Sequence, residues 1–433
     1  MPRFLHIADI HLGFDRYDNK VRTQDFFYTL MDVVERYAIR DALPSGIAPQ
    51  VDFVLIAGDL FEHRNLQPHI LNQAQAVLSL LKDAGIPVLA IEGNHDNRPY
   101  GVNTSWLRYL ADWEMLYLLE PGDVAQSEPF YSPWDAETKR GGYIDLPCGV
   151  RVLGSSWYGS TAPKAIEQIA AAIGELPPAP GPTVLLFHHG LEGQIARYQG
   201  ALRYSDLLPL KQAGVDYLAL GHIHKNYEIE GWVFNPGSLE ANSIDEARFE
   251  RGAYLVDIGP DGIRAELKRD YRQRPILRLR QSLRGSETVE EVEQTAIALV
   301  QQAISLGQLQ PDTQPIVELR LEGEVGFERT ELDVRSLQQQ LQSLSNALIF
   351  LLKFEADVLT FASPLGEEAS RDQVEREVFL DLLTANSAYK NRAPALAQGL
   401  IDLKNRQLEG RPEPDLYELV QSLLTSENSE RRD

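Results

Sequence analysis

Residues 52–59 read DFVLIAGD, a short apolar run that ends in Gly58-Asp59. A run of this length, rich in β-branched and aromatic residues, predicts a strand buried on both faces. The same form, an apolar run closed by polar residues, recurs in the first half of the chain at 3–9, 87–91, 183–188 and 216–220.

The segments between these runs predict the fold class. Residues 22–40 and 66–84 have helical periodicity, so that strands and helices alternate. Segments around 115–158 and 226–270 contain turn sequences between further strand-like runs. The first half therefore predicts an α/β core with buried strands and an additional β-rich component.

Polar motifs follow the apolar runs where each predicted strand ends. Ligand sites in open α/β sheets lie at this edge. All nine histidines fall within the first 224 residues, which confines histidine chemistry to this half. The motifs, in chain order, are Asp9-Ile10-His11, Gly58-Asp59, Gly93-Asn94-His95-Asp96, His188-His189 and Gly221-His222-Ile223-His224.

These residue types predict a metal site. Carboxylate, imidazole and amide oxygen together suit divalent manganese, iron or zinc. Alternation along a strand would place Asp9 and His11 on one side, and His222 and His224 have the same spacing. Asp59 has two oxygens and could bridge two ions ~3.5–4 Å apart, which can activate water and stabilise in-line displacement at phosphorus.

The ordered motifs resemble those of the calcineurin-like metallophosphoesterases, which have a four-layer α/β/β/α sandwich with two metals at its edge. The resemblance covers about residues 1–275. The sequences around these motifs are similar to those of the SbcD-type DNA double-strand-break repair nucleases. The similar segments are LHIADIHLG, IAGDLFEHR, EGNHD, GHIHK and FNPGSLE.

The resemblance implies two divalent ions, for which we expect Mn²⁺, and a ligand set for each. It assigns His95 a role at the transition state, with Asp96 orienting its ring. General-acid help of this kind is typically worth ~10²–10⁴ in rate. The implied ligands of the first metal are Asp9, His11, Asp59 and His224, and those of the second are Asp59, Asn94, His188 and His222.

Two positions leave alternatives open. His188 and His189 would face opposite ways along a strand, and the family pattern of one histidine ending this strand favours His188. The eukaryotic and archaeal nucleases of this family have a histidine three residues after the bridging Asp, where this chain has Glu62. Either His63 takes that catalytic role through a loop shift, or the role is absent.

The sequence changes character after Pro275. Residues 276–363 predict a small α/β unit, with a helix that Thr288 and Glu291 open as a capping box. Residues 367–433 predict three helices with apolar stripes, which either pack on this chain or dock another protein. The resemblance implies a nuclease domain at 1–275, a capping domain at 276–363 that restricts DNA access, and an ATPase-docking region at 367–433.

The implied partner is an SMC-like ATPase of the SbcC type. This chain has no Gly-x-x-x-x-Gly-Lys-Ser/Thr phosphate loop, so any ATP would be hydrolysed by that partner. The resemblance is also compatible with a homodimer through the first domain.

Charge and cysteine content bound the function. A net charge of −22 argues against binding a polyanion through surface charge alone. Residues 264–280 carry a net positive charge, in contrast to the rest of the chain. They form either a solvated strand edge and linker or a DNA-phosphate contact through Lys268, Arg269 and Arg272. Cys148 is the only cysteine, which excludes an intrachain disulfide and a cysteine-based metal site. We expect no signal peptide, no membrane segment and a cytoplasmic location.

We therefore predict an enzyme: a manganese-dependent DNA phosphodiesterase, exonuclease on duplex ends and endonuclease on single strands or hairpins, in double-strand-break repair. A second hypothesis is a calcineurin-like phosphoesterase acting on a nucleotide, cyclic nucleotide or phosphoprotein, which the acidity favours. A third is an inactive scaffold that regulates the ATPase, which the filled ligand positions oppose.

Overall fold

The computed structural model of the chain describes residues 1–433 apart from 44–45, 100, 103, 125–126, 196–199, 359–370, 385–388 and 426–433. It divides into two compact units, Met1–Ile276 and Leu277–Asp433. Within the described residues, no helix combines the length and the apolar character needed to cross a membrane.

Two six-stranded sheets form the centre of the first unit. The strands, in chain order, are β1 (Arg3–Ile7), β2 (Ile39–Leu43), β3 (Gly46–Pro49), β4 (Phe53–Ala57), β5 (Val88–Ile91), β6 (Tyr117–Leu118), β7 (Tyr143–Asp145), β8 (Arg151–Leu153), β9 (Thr183–His188), β10 (Tyr217–Gly221), β11 (Tyr227–Ile229), β12 (Val233–Asn235), β13 (Ala253–Gly259) and β14 (Gly262–Lys268).

The first sheet has the order β14-β13-β1-β4-β5-β6, and the second has the order β11-β12-β10-β9-β8-β7. Strands β1, β4, β5 and β6 run parallel, as do β8, β9, β10 and β12. Strands β2 and β3 form a separate antiparallel pair. Every residue of β4, β9 and β10 is buried, as the continuous apolar runs predict.

Helices cover the outer face of each sheet. Those on the first sheet are α1 (Lys20–Val33), α2 (Pro68–Asp83) and α3 (Trp106–Asp112), and those on the second are α4 (Ala162–Gly174) and α5 (Tyr204–Gln212). Between the sheets, alternate strand residues such as Phe4, Phe53 and Val184 form a shared core. The predicted α/β/β/α sandwich is therefore confirmed.

The second unit begins with a three-stranded sheet, in the order β15 (Ile276–Arg284), β16 (Ile316–Val325) and β17 (Ile349–Val358). Helices α6 (Val289–Ser305) and α7 (Val334–Ser345) pack on this sheet around one apolar core. The predicted capping box is present, since the Thr288 side chain accepts the Glu291 N–H and Glu291 accepts the Thr288 N–H.

Three C-terminal helices complete the second unit: α8 (Arg371–Thr384), α9 (Ala393–Leu408) and α10 (Glu413–Thr425). Helix α9 packs against both neighbours. The predicted α/β unit and helical tail are thus present. The predicted boundaries at 363 and 367 lie outside the described residues, and the division into capping and docking regions stays a proposal.

Candidate metal centre

The predicted ligands lie at the carboxyl edge of both sheets, directly after the strands that carry them. Asp9 follows β1, Asp59 follows β4 and Asn94 follows β5, whereas His188 ends β9 and His222 follows β10. Because the two sheets face one another, this edge brings residues from five strands together. Ligand sites in open α/β sheets lie at this edge, and this is why residues far apart in the sequence meet here.

The turns after these strands are left-handed. Asp9, His11, Asp59 and His222 have φ of 52°, 55°, 54° and 88°. Non-glycine residues rarely adopt this conformation, and it persists where the surroundings fix it. The convergence of Asp9 with His11 therefore comes from a turn, not from the alternation along a strand that we predicted, because β1 already ends at Ile7.

Backbone hydrogen bonds tie these turns to one another. The N–H groups of Ile10 and His11 donate to the Asp59 carbonyl at 2.8 and 3.1 Å. The His222 N–H donates to the Asp9 carboxylate at 2.9 Å, and the His95 N–H donates to Asp59 Oδ1 at 2.9 Å. Loops from different strands thus hold the site in one arrangement.

Two glycines make room for the side chains. A Cβ at Gly93 would lie 2.1 Å from Asp59 Oδ1, and one at Gly58 would lie 2.3 Å from His188 Nδ1. Gly58 also has φ of +92°, which disfavours any other residue. The Gly-Asp and Gly-Asn-His-Asp motifs therefore need glycine for close approach.

One candidate metal group contains Asp9, His11 and His224, whose ligand atoms all lie within 4.8 Å of one another. His11 Nε2 and His224 Nε2 are 3.1 Å apart, and His224 Nε2 is 3.9 Å from Asp9 Oδ1. Asp9 and His11 are fully buried.

A second group contains Asp59, His188 and His222. His188 Nε2 lies 3.1 Å from both Asp59 Oδ2 and Asn94 Oδ1, and His222 Nδ1 lies 2.8 Å from Asn94 Oδ1. Asn94 Oδ1 thus lies beside this group, and its role as a ligand stays a prediction.

Asp59 also belongs to a third group, with His11 and His95. Its carboxylate therefore lies between the ligand sets implied for the two metals. This is the position that a bridging ligand requires.

The arrangement of nitrogen atoms fits a cation. Glu62 lies 2.8 Å from His11 Nδ1, and Glu246 lies 3.1 Å from His224 Nδ1. The two Nε2 atoms face one another at 3.1 Å, and a divalent ion bound between them would accept a lone pair from each ring. Carboxylate, imidazole and amide donors suit manganese, iron or zinc.

Burial and neighbouring charges shift several pKa values in the cluster. Burial raises the pKa of Asp9, and it would also raise that of Asp59, but His188 holds the Asp59 pKa well below its ordinary value. Burial opposes charge on His188 and His224, yet Asp59 and Glu246 respectively raise the pKa of each to about 9. Burial, with His188 as the next cause, lowers the pKa of His222 to about 3. A metal ion would therefore displace protons from His188 and His224.

His188 and His189 differ in their contacts. His188 Nε2 enters the second group, and its Nδ1 donates to the Ala57 carbonyl at 2.7 Å. Within the described part of the chain, His189 belongs to none of the candidate metal groups. Its Nδ1 lies 3.1 Å from the Gly190 carbonyl, and its Nε2 lies 3.1 Å from the Gly159 carbonyl. The geometry supports His188, the choice made from the sequence.

His95 lies at the mouth of the cluster, with 36% of its side chain exposed. Its Nδ1 donates to the Glu62 backbone carbonyl at 2.9 Å. The Glu62 carbonyl, and not Asp96 as predicted, therefore orients this ring.

Asp96 has a structural role in the loops instead. Its carboxylate accepts the N–H groups of Leu60 at 2.7 Å, Phe61 at 3.2 Å and Gly93 at 2.8 Å. Burial, with Asp59 as the next cause, raises the pKa of Asp96 to about 7, although the three N–H donors favour the ionised form. Asp96 thus joins the Asp59 loop to the Asn94 loop.

His63 is not brought to the cluster. It belongs to none of the candidate metal groups among the described residues, and 49% of its side chain is exposed. Its Nε2 lies 3.2 Å from the exposed carboxylate of Asp15. The loop keeps the register in which Glu62 points inwards, so the proposed substitution of His63 for the expected histidine finds no support.

The three predicted phosphate contacts are already engaged by neighbours. Lys268 pairs with Glu266, and Arg269 pairs with Glu250 at 2.9 Å. The Arg272 guanidinium lies 4.6 Å from the centre of the Tyr28 ring. These local partners weaken the case for the basic run as a DNA-binding strip. Lys268 is paired within its own strand, and only the fold brings Glu250 to Arg269 and Tyr28 to Arg272.

Two residues beside the cluster escaped the sequence analysis. Glu246 contacts His224 from a short 3₁₀ segment, Ile244–Arg248, and the Trp157 ring centre lies 5.1 Å from that of His222. Neither lies in one of the short motifs. The fold alone brings Glu246 and Trp157 to the cluster, so no pattern in the neighbouring sequence identifies them.

Comparison with known proteins gives a family match and several relatives. A model of the family described as calcineurin-like phosphoesterase matches residues 2–226. The chain is 30% identical over 329 residues to the DNA double-strand break repair protein Mre11 of Haloferax volcanii, which is 75% of this chain and 62% of that protein. It is 30% identical over 260 residues to the protein of the same name from Archaeoglobus fulgidus, which is 57% of this chain and 52% of that protein.

A further relative has no stated substrate. The chain is 27% identical over 276 residues to an uncharacterized metallophosphoesterase, YhaO, of Bacillus subtilis, covering 62% of this chain and 60% of that protein. The chain thus spans between about half and two thirds of the length of these relatives.

Proposed function

Because this chain belongs to the calcineurin-like phosphoesterase family, we propose that it is a manganese-dependent DNA phosphodiesterase. It acts as an exonuclease on duplex ends and as an endonuclease on single strands or hairpins. The observation that carries the proposal is the buried Asp59 carboxylate, which is shared by two candidate metal groups. Similarity to two proteins named for DNA double-strand break repair supports DNA as the substrate.

The proposed ligands divide between two ions around Asp59. Asp9, His11, Asp59 and His224 hold the first, and Asp59, Asn94, His188 and His222 hold the second. Bound by these residues, the two ions would supply activation of a water and stabilisation of the attacking and leaving oxygens in an in-line displacement. The protein's part is to fix these donors, through the backbone bonds that link the loops.

His95 acts on the phosphate from outside the ligand sets. Its Nδ1 proton is held by the Glu62 carbonyl, so that Nε2 is the nitrogen left for the reacting phosphate. From there it stabilises developing charge or assists the leaving oxygen. Its partial exposure suits a residue that meets substrate.

The proposal includes a division of labour with a partner. The α/β part of the second unit restricts access to the metals, and helices α8–α10 dock an SMC-like ATPase of the SbcC type. We also propose that the chain forms a homodimer through the first unit and that it is located in the cytoplasm. The net charge of −22 supports a role for the partner, because this chain alone has little general attraction for DNA.

One observation favours a second candidate function, hydrolysis of a smaller phosphoester such as a nucleotide, a cyclic nucleotide or a phosphoprotein. Lys268 and Arg269, the cations best placed by sequence to meet DNA, are paired with Glu266 and Glu250. A small substrate would need only the metals and His95.

A cleavage assay separates the two. The purified chain is incubated with manganese and end-labelled duplex, hairpin and single-stranded DNA, beside bis(p-nitrophenyl) phosphate. We expect DNA cleavage that Asp59→Asn abolishes and that Asp261→Asn, the same change on the exposed β13–β14 turn, retains. Ester hydrolysis without DNA cleavage, also after addition of the ATPase partner, would support the smaller substrate. DNA cleavage that survives in Asp59→Asn would overturn the proposed site.

A further inference from the structure

Two carboxylates that belong to neither proposed ligand set lie beside the first one. Glu246 Oε1 is 3.1 Å from His224 Nδ1, and Glu62 Oε2 is 2.8 Å from His11 Nδ1. Both side chains are only 16% exposed. Each histidine of the first set therefore has a largely buried carboxylate behind it.

Glu246 is held firmly in this position. Its second oxygen accepts the Asn242 N–H at 2.8 Å, and its backbone carbonyl accepts a hydrogen bond from Arg251. Glu62 is fixed at the backbone, because its N–H donates to the Leu12 carbonyl at 3.0 Å and its carbonyl accepts from His95. The Glu246 carboxylate is thus held by a hydrogen bond of its own, whereas Glu62 is held through its backbone, and its Oε2 has no hydrogen-bond partner among the described residues.

The described contacts of the second ligand set place neutral groups beside its histidines. His188 Nδ1 donates to the Ala57 carbonyl at 2.7 Å. The Trp157 ring centre lies 5.1 Å from that of His222 and 5.7 Å from that of His188. Asp59, shared with the first set, is the only carboxylate among its four ligands.

We propose that the two metal sites are unequal, and that Glu246 and Glu62 are positioning residues that make the first site the tighter one. The inference rests on the proposed function, since it takes the two ligand sets from there. It goes further by assigning an order of binding and the residues that cause it.

The physical reason is twofold. The Glu246 carboxylate at His224 Nδ1 holds that ring with Nε2 towards the ion and makes this nitrogen a better donor. Glu62 Oε2 lies 2.8 Å from His11 Nδ1 without hydrogen-bond geometry, so it acts on the first site through its negative charge. The two additional negative charges also attract a divalent cation across a largely buried region. Loss of such an outer partner typically weakens metal binding ~10–100-fold.

The test is calorimetric titration of the metal-free full chain with MnCl₂. The unmodified chain should bind manganese in two resolved steps. Glu246→Gln keeps the size of the side chain and an oxygen acceptor for Asn242, and it should weaken the tighter step ~10–100-fold while sparing the other. Glu62→Gln should weaken the same step, because it removes the negative charge beside His11. Glu228→Gln, the same change at an exposed position of β11, should alter neither step.

Thermal unfolding of the metal-free variants distinguishes positioning from a structural role. A merely structural carboxylate would lower the metal-free Tm and weaken both steps together, which would overturn the inference. Two equal steps in the unmodified chain, or selective weakening of the looser step by Glu246→Gln, would also overturn it while leaving the proposed function intact. Failure of the unmodified chain to bind manganese would contradict the proposed function itself. If Glu246→Gln does not fold, Glu62→Gln carries the test.

Discussion

His95 differs from its histidine neighbours in exposure and in contacts. The rings of His11 and His188 are buried, whereas 36% of the His95 side chain is exposed beside the cluster. Its backbone N–H donates to the Asp59 carboxylate, its Nδ1 donates to the Glu62 carbonyl, and its ring packs edge-on against that of His11. This environment suits a residue that acts on the substrate more than one that holds a metal.

We predict that His95→Asn retains manganese binding but lowers the turnover rate ~10²–10⁴-fold, because the substitution removes a proton carrier at the reacting phosphate. Calorimetry and cleavage of labelled DNA measure the two properties. His69→Asn, on the exposed face of α2, is the matched control. Turnover near that of the unmodified chain would remove His95 from the mechanism.

His6 joins the two sheets in the shared core. It is fully buried, with Nδ1 2.9 Å from the Tyr217 hydroxyl and Nε2 3.0 Å from the Leu220 carbonyl. Burial lowers its pKa from the ordinary 6.5 to about 3, although the Leu220 carbonyl acts in the opposite direction. The ring is therefore neutral in the folded protein, the core histidine that its apolar strand suggests.

This pKa predicts a pH-dependent stability. Above pH 6.5 the ring is neutral in both states, and below it the unfolded chain takes up a proton that the folded chain does not. As the pH is lowered from 6.5 to about 3, the contribution of His6 should therefore reduce the free energy of unfolding by about 1.4 kcal/mol per pH unit. Urea unfolding of the full chain, followed by tryptophan fluorescence, reports the first unit, where all five tryptophans lie.

His6→Gln cannot titrate, so it should lack this component of the pH dependence while the other groups still titrate. The difference in unfolding free energy between the two chains should narrow as the pH falls from 6 to 4. Parallel curves would show that His6 makes no such contribution.

The strands and their polar ends could be predicted because burial sets their sequence. Buried parallel strands read as apolar runs, and the ligands follow where those runs stop. The sequence did not reveal the left-handed turns at Asp9 and His11, which local pattern does not distinguish from continued strand. Asp96 and Glu246 act through contacts that span 36 and 22 residues, and only the fold brings these partners together.

Helix α8 presents an apolar face to solvent. Val374, Val378 and Leu382 follow at intervals of four residues, and they are 44%, 49% and 66% exposed. A spacing of four places all three on one side of the helix. In contrast, Ala393, Ala397 and Ile401 of α9 are buried. The exposed face supports the proposed docking of a partner on these helices.

Deleting residues 367–433 should abolish co-purification with the SMC-like ATPase and leave manganese-dependent cleavage intact, because the proposed ligands all lie in the first unit. Val378→Glu should weaken the association without removing the helix. Leu306→Glu, at an exposed apolar position after α6, is the control. Retained binding by the deletion variant would contradict the docking proposal.

At the scale of the whole molecule, the acidic balance shapes how a phosphate can approach. The chain carries −22, and the cations of its basic run are largely paired. Two divalent ions would place +4 where the scissile phosphate must lie. The charge is therefore compatible with a nuclease that depends on its metals and on a partner for firm DNA binding.

The proposed mechanism depends on two ions that share the Asp59 carboxylate. Anomalous diffraction at the manganese edge, from crystals of the full chain grown with MnCl₂, would locate them. We predict two peaks ~3.5–4 Å apart, both in contact with the Asp59 carboxylate. One should also contact Asp9, His11 and His224, and the other Asn94, His188 and His222. No peak at this edge, or a single ion bound without Asp59, would refute the shared site.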